Sequence, residues 1–327
     1  MKATIALIHG GEGYEHDISV LGANNISKMI CREKYDVLPV LIDKRGEWLI
    51  DGGKTSVFPV LLGGKSGLIS DSAFIPIDLA IPLLHGDHGE DGEVLGALKS
   101  AHIKFIGCGI LPSALTADKI SAKLIASSIG IPTADFVFST DKNCDKIVLQ
   151  AEKALAYPMF VKPSGLGSSI GISKAHNRKE LISAYERALK YSERILIEKA
   201  VEVKCELECA YLGVFGKHLY RVGKVISDGK FYDFDKKYLS YTETSADIEN
   251  EEVAIAVTKA ADKLREVIGA GGLARFDFFL ANDGTILFNE INTFPGMTKT
   301  SLFPALTVGM GFSEGEFINR LIEEALV

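Results

Sequence analysis

Apolar and polar positions fall along this chain in blocks that change period. Ile5-Ala-Leu-Ile8 is a short unbroken apolar run, the mark of a strand buried on both faces, and Gly10, Gly11 and Gly13 open a loop behind it. From about Asp17, Ile18, Leu21, Ile26 and Met29-Ile30 recur at helical spacing. Val37–Ile42 and Leu79–Leu84 are further apolar runs leading into loops, and Glu93 to Ser100 reads as a helix. Strand, loop and helix in alternation predict an open α/β sheet whose ligand loops gather at the strand carboxyl ends. Lys104–Gly109 with Leu111-Pro112 reads as a boundary. Beyond it, Ser113 to Ile129 is helical, and Gly130-Ile-Pro132 stops it. Ala134–Phe138 and Pro158–Lys162 are strands flanking a polar helical stretch, Asp145 to Leu155. Ile195–Lys199, Glu206–Val214 and His218–Ile226 continue as strands. Ser227 to Asn250 is polar, rich in aromatics, and long enough to serve as a lid. Val253–Ile268 and Glu314–Leu326 are helices.

The segment Ala274–Asn292 breaks the apolar rule in an ordered way. Two strands flank Asn282-Asp283-Gly284, the pattern of a hairpin. Arg275 and Asp277, like Glu290 and Asn292, are two residues apart, so each pair shares a face and the pairs land close to opposite one another. Any one pair reads as a structural salt bridge. The four together read as a hard-cation site, because carboxylate and amide oxygens suit Mg²⁺ holding phosphate.

Two glycine-rich loops add candidate chemistry. His85-Gly-Asp-His-Gly-Glu-Asp-Gly92 invites a metal reading through His85, His88, Glu90 and Asp91. Its place before a helix argues instead for a phosphate or substrate loop using backbone N–H groups. Lys162-Pro-Ser-Gly-Leu-Gly-Ser-Ser-Ile-Gly171 lacks the Gly-Lys-[Ser/Thr] of a P-loop. It reads either as a tight hairpin or as a backbone cradle for phosphates with Lys162 supplying charge. Gly10 and Gly11 do not complete G-x-G-x-x-G, so a dinucleotide fold is unsupported.

Composition narrows the class. The chain has 327 residues, 47% hydrophobic and 24% charged, enough for two or three domains. A net charge of −7 gives nucleic-acid binding no help, and no apolar run approaches a membrane span. The N-terminal apolar stretch is too short for a signal peptide, so a cytoplasmic location is expected. Five irregularly spaced cysteines, including Cys205 and Cys209, argue for reduced thiols rather than disulfides or zinc.

Taken in order, the marking segments are Gly10-Gly11 with Glu15–Ser19, His85–Gly92, Ser113–Lys119, Lys162–Ser169, Phe231–Tyr238 and Asn289–Met297. Together they resemble ATP-grasp ligases, and within these the D-alanine–D-alanine ligase family, over nearly the whole chain. The resemblance implies an α/β, partly α+β, fold in three domains. These are an N-terminal substrate-binding domain (1–110), a small central domain (111–197), and a C-terminal domain (198–327) carrying the metal hairpin and the lid 227–250. It implies ATP as a substrate, two Mg²⁺ ions with Mn²⁺ able to substitute, two D-alanine molecules, and a homodimer with neither nucleic-acid nor membrane partners.

The implied reaction forms an acylphosphate from ATP and one D-alanine, then lets the amine of a second displace phosphate, supplying dipeptide for peptidoglycan. Lys119 and Lys162 match phosphate-binding lysines, Lys237 one that contacts the γ-phosphate, and Asn289 lies in the nucleotide-binding hairpin. Glu198 matches the adenine-binding residue, Lys199 to Val201 the linker along the base, and Glu206 the ribose carboxylate, although the spacing from Glu198 is one residue longer than usual. Asp277, Glu290 and Asn292 match the metal ligands. Glu15, Ser168 and Tyr238 match a trio that holds the first substrate, with His85 nearby. Arg275 and the Gly296 N–H match the oxyanion donors. Ser301 and Leu302 match the pocket of the second substrate. The glycine loop is uncharged at its middle positions, where relatives often carry a charge. A small apolar pocket at Leu302 favours D-alanine, with D-serine or another amino or hydroxy acid as the alternative second substrate. A different ATP-grasp ligase, or a nucleotide binder without catalysis, would not keep all of these residues together.

Overall fold

The computed structural model describes residues 2–167, 170–226, 243–248 and 250–327. The first apolar run becomes β1 (Ala3–Gly10), followed by α1 (His16–Met29), β2 (Tyr35–Ile42), β3 (Trp48–Ile50) and β4 (Thr55–Ser56). A small antiparallel sheet of β5 (Phe58–Leu62), β6 (Lys65–Ile69) and β7 (Phe74–Pro76) precedes β8 (Leu79–Leu84). The main sheet has the order β4-β3-β2-β1-β8. β1 is parallel to both β2 and β8, and β3 and β4 extend the edge antiparallel. β8 is buried at all six positions, as a central run bounded by loops predicts. The antiparallel strands between residues 48 and 76 carry little apolar alternation and were not legible in the pattern. α2 (Glu93–Ser100) follows the loop that ends β8.

The helix expected over Ser113–Ile129 is two helices, α3 (Ile110–Ala117) and α4 (Lys119–Ser128). Asp118 breaks it, with extended backbone at φ −85° and ψ 103°. Its side chain accepts from the Ser121 N–H and caps α4, so a short polar residue offers the backbone an alternative to continuing the helix. A four-stranded antiparallel sheet follows, built from β9 (Phe136–Ser139), β10 (Met159–Pro163), β11 (Ser173–Ala175) and β12 (Ile195–Lys199) in the order β11-β10-β12-β9. α5 (Cys144–Ala154) and α6 (Arg178–Ala188) cover one face, and their core is drawn from Val137 to Ile197 alone.

The third unit is a five-stranded antiparallel sheet. It comprises β13 (Val203–Val214), β14 (Lys217–Ile226), β15 (Glu243–Ser245), β16 (Leu273–Ala281) and β17 (Ile286–Asn292), in the order β15-β14-β13-β16-β17. β15 falls inside the stretch expected to be lid, so the last part of that stretch is edge strand rather than loop. α7 (Glu251–Ile268) packs on one face through Val257, Ala261, Leu264 and Ile268. Ala122, Ala126 and Ile131 join that same core, so α4 packs with the third sheet although the division at 111–197 groups it with the second. α8 (Leu302–Gly309) packs on β13 and β14, α9 (Glu316–Leu326) returns to α1 and β8, and Phe303 and Phe317 share a core with Ile5, Leu7 and Leu83. Among the described residues no helix is long and apolar enough to cross a membrane. All five cysteines are free thiols, and burial pushes Cys108 up to about 12.

Candidate active site

The hairpin of β16 and β17 sets the geometry. Ala281 N–H donates to Thr285, Asp283 accepts the Thr285 N–H, and Gly284 at φ +88° turns the chain where a Cβ would be strained. Arg275 pairs with Asn292 and Asp277 with Glu290, so all four share one face. The register then shifts and Asn289 becomes an extra residue, a β-bulge that lets Asn289 and Glu290 both face the cleft. Arg275 makes two bonds of 2.7 Å to Asp277, and its Nε lies 3.5 Å from Glu208. Burial disfavours the guanidinium charge, but Asp277, Glu208 and Glu290 outweigh it and hold Arg275 well above its usual range. The Asn292 amide donates to Asp277 at 3.0 Å.

Glu208 is a site residue that the sequence reading missed. It pairs across β13–β16 with Asp277, and Glu206 stands two residues before it. That spacing of two, just before the apolar run Cys209–Leu212, was the available signal.

Facing the hairpin is the start of α4. Lys119 places Nζ 3.3 Å from Glu290 and 2.8 Å from the Leu166 carbonyl. The glycine loop is tied to the same helix start. Ser164 donates to Asp118 at 2.7 Å and accepts from the Ile120 N–H at 3.1 Å, and the Lys119 N–H donates to the Ser164 carbonyl at 3.0 Å. Arg194 grips both oxygens of Asp118, at 2.8 and 3.0 Å. Burial alone would raise the Asp118 pKa, but Arg194, Ser121 and Ser164 hold it down at about 2.

Loops from the first sheet close the cleft. A Cβ at Gly86 or at Gly167 would come within 2.5 Å of the Glu15 carboxylate, so Glu15 lies where these two loops meet. His85 is 7% exposed, and among the described residues its Nε2 has no hydrogen-bond partner. Burial lowers its pKa, partly offset by Glu15 and by a hydrogen bond to the Phe294 backbone. Glu90 accepts from the N–H groups of Gly86 at 3.0 Å and Phe294 at 3.3 Å. Burial, then the nearby Glu15, pushes its pKa up to about 8.

The N–H groups of Gly86, His88, Gly89, Glu90 and Glu93 are all bonded inside this loop, while His85, Gly86 and Glu90 line the cleft. Ligand atoms of His88, Asp91 and Glu93 lie within 4.8 Å of one another. His88 and Glu93 are exposed, and Asp91 is occupied by the amides of His88 and Glu93. At the far wall, a Cβ on Gly296 would sit 2.9 Å from the Ser301 hydroxyl, so a larger residue there would have to displace that hydroxyl.

Glu15, His85, Lys119, Glu206, Arg275, Asp277, Asn289, Glu290, Asn292, Gly296, Ser301 and Leu302 line one cleft enclosing about 150 Å³. Lys162 and Glu198 lie behind it. Glu198 is buried between Lys162, its direct partner, and Lys123 at 3.1 Å. Burial raises the Glu198 pKa, but the two lysines outweigh it and hold it at about 2. Lys123 was also missed, since a helical lysine reads as solvated. Lys199 is exposed and Val201 half-buried at the end of β12. Ser168, Lys237 and Tyr238 lie outside the described residues.

A four-stranded and a five-stranded antiparallel sheet with lysines and acids facing a shared cleft, joined to an open parallel sheet, form the ATP-grasp arrangement of a ligase. Family profiles described as D-ala D-ala ligase N-terminus and C-terminus match residues 4–108 and 125–323. A D-alanine--D-alanine ligase of Chloroherpeton thalassium is 38% identical, the match covering 99% of this chain and 96% of the relative. D-alanyl-alanine synthetase A from Vibrio cholerae superposes with a TM-score of 0.89 at 33% identity, covering 99% and 98% of the two chains. The VanG D-Ala:D-Ser ligase from Enterococcus faecalis gives a TM-score of 0.89 at 29% identity, covering 99% and 100%. The chain belongs to the D-alanine–D-alanine ligase family.

Proposed function

We propose that this chain joins two D-alanine molecules with ATP, releasing ADP and phosphate and supplying the dipeptide for peptidoglycan in the cytoplasm. The observation that carries this reading is the convergence on one cleft of Glu15 and His85 from the first sheet with the Arg275–Asn292 face of the hairpin. In the first step a carboxylate oxygen of one D-alanine attacks the γ-phosphorus and ADP leaves. In the second the amine of the other D-alanine attacks the acylphosphate carbonyl, phosphate leaves, and one ammonium proton is lost.

Glu15 receives the ammonium of the first substrate, and the unpartnered His85 Nε2 supports a polar contact beside it. Arg275 and the Gly296 N–H stabilise the oxyanion. Ser301 takes the carboxylate of the second substrate and Leu302 its methyl group, which supports D-alanine over D-serine. Lys119 and Lys162 hold phosphates, Glu198 and the backbone of Lys199 to Val201 hold adenine, Glu206 the ribose, and Asn289 adjoins the nucleotide. Ser168, Tyr238 and Lys237 keep the roles that the family resemblance implies.

The donors at the hairpin are hard oxygens without thiol or imidazole, which fits Mg²⁺ or Mn²⁺ held by Asp277, Glu290 and Asn292. When bound, such ions neutralise phosphate charge. The division into 1–110, 111–197 and 198–327, and a homodimer, belong to the same proposal. Limited proteolysis and light scattering test them.

Phosphate release with ATP, Mg²⁺ and D-alanine, set against L-alanine, D-serine and D-lactate, is the deciding assay. Release with D-alanine is expected, and silence with it overturns the reading.

A further inference from the structure

Behind the cleft lies a row of three buried charges of which the reaction above uses two. Glu198 is 2% exposed and Lys123 1% exposed. Lys162 pairs with one Glu198 oxygen, and the Lys123 ammonium lies 3.1 Å from the other. That approach is close enough for an ion pair but too poorly aligned for a hydrogen bond, so Lys123 keeps unused donors in a dry place. One turn separates Lys119 from Lys123 on α4, so they share a face. Lys119 reaches Glu290, while Lys123 reaches deeper to Glu198.

Two cations on one buried carboxylate are more charge than stability asks for, since a buried lysine is costly and one lysine already neutralises Glu198. The excess matters when Lys162 turns to a phosphate. With Lys162 as its single partner, Glu198 would be left buried and unpaired each time nucleotide bound. Lys123 does not line the cleft, and its contact with the second Glu198 oxygen does not depend on Lys162.

We propose that Lys123 is a positioning residue: it keeps Glu198 neutralised and thereby frees Lys162 to hold nucleotide phosphate. This rests on the assignment of Lys162 made above. Lys123→Met preserves length and leaves the Lys162–Glu198 pair intact, so the variant folds, and a matching circular dichroism spectrum checks this. Titration calorimetry with ATP and Mg²⁺ should then show roughly 10–100-fold weaker binding, with the KM for D-alanine at saturating ATP unchanged.

In a Glu198→Gln background no carboxylate retains Lys162, and the same Lys123→Met change should shift ATP affinity by less than about twofold. Lys123→Arg, which keeps the charge, should bind ATP within about threefold of the parent. Unchanged ATP affinity in Lys123→Met, equal losses in both backgrounds, or a loss in Lys123→Arg as large as in Lys123→Met overturns the proposal. Lys162→Met separates the two levels. If it binds ATP normally, the role given to Lys162 fails, whereas if it binds weakly and Lys123→Met does not, the role of Lys123 alone fails.

Discussion

Arg275 touches Asp277 through two 2.7 Å bonds and approaches Glu208 at 3.5 Å, so removing its guanidinium takes away the proposed oxyanion donor and leaves acids together. Arg275→Met should lower turnover by ~10²–10³-fold with ATP affinity nearly intact. Without metal its stability should fall by roughly 3–5 kcal/mol. Added Mg²⁺ should recover part of that loss in thermal melts, a result that a purely structural hairpin would not give. Glu90 supplies a pH signature. Its folded pKa, about 8, lies above the ordinary carboxyl value of 4.5. The folded state therefore holds a proton that the unfolded chain releases, so its contribution is complete below pH 4.5 and is lost as pH rises through about 8. Glu90→Gln should flatten that decline in urea titrations run across the window. At this scale Arg275, Asp277, Glu290 and Asn292 were legible because polar residues at spacing two stand out in apolar strands. Glu208 and Lys123 were not, because their partners Asp277 and Glu198 lie 69 and 75 positions away and only strand pairing or packing joins them.

Two irregularities place the side chains of whole elements. The break at Asp118 puts Lys119 at the start of α4 and ties the glycine loop to it through Ser164 and Arg194. Asp118→Ala should cost about 1–3 kcal/mol and weaken ATP binding, read by urea unfolding and by calorimetry. Because Asp118 is held near 2, its contribution is present above pH 3.8 and lost as pH falls through about 2. Acid titration of the variant should lack that component. The bulge at Asn289 solves a different conflict. Plain alternation backward from Glu290 puts Phe288 in the cleft. With the extra residue, Phe288 pairs with Phe278 and is fully buried, its ring 5.8 Å from that of Phe278, while Glu290 stays opposite Asp277. The hairpin was readable from its turn and composition. The bulge and the helix break were not, since each is decided by which core or loop receives the neighbouring side chains.

Across the molecule, the order of strands and helices was largely visible because most segments have a clear period. The strands between residues 48 and 76 and the return of α9 to the first sheet were not, because they depend on long-range packing. ATP with Mg²⁺ should raise the melting temperature in step with ligand concentration, as mass action requires, and chelation should abolish the shift. The distribution of cores carries one more consequence. Ile5 and Leu83 near one end of the chain and Phe303 and Phe317 near the other share a core, whereas among the described residues the core from Val137 to Ile197 takes nothing from outside its own segment. Denaturation of the free protein should therefore proceed in two steps, the four-stranded sheet melting out while the two ends stay knotted together. Nucleotide bridging the two halves of the cleft should merge the steps into one, so that cooperativity itself becomes a property conferred by the substrate.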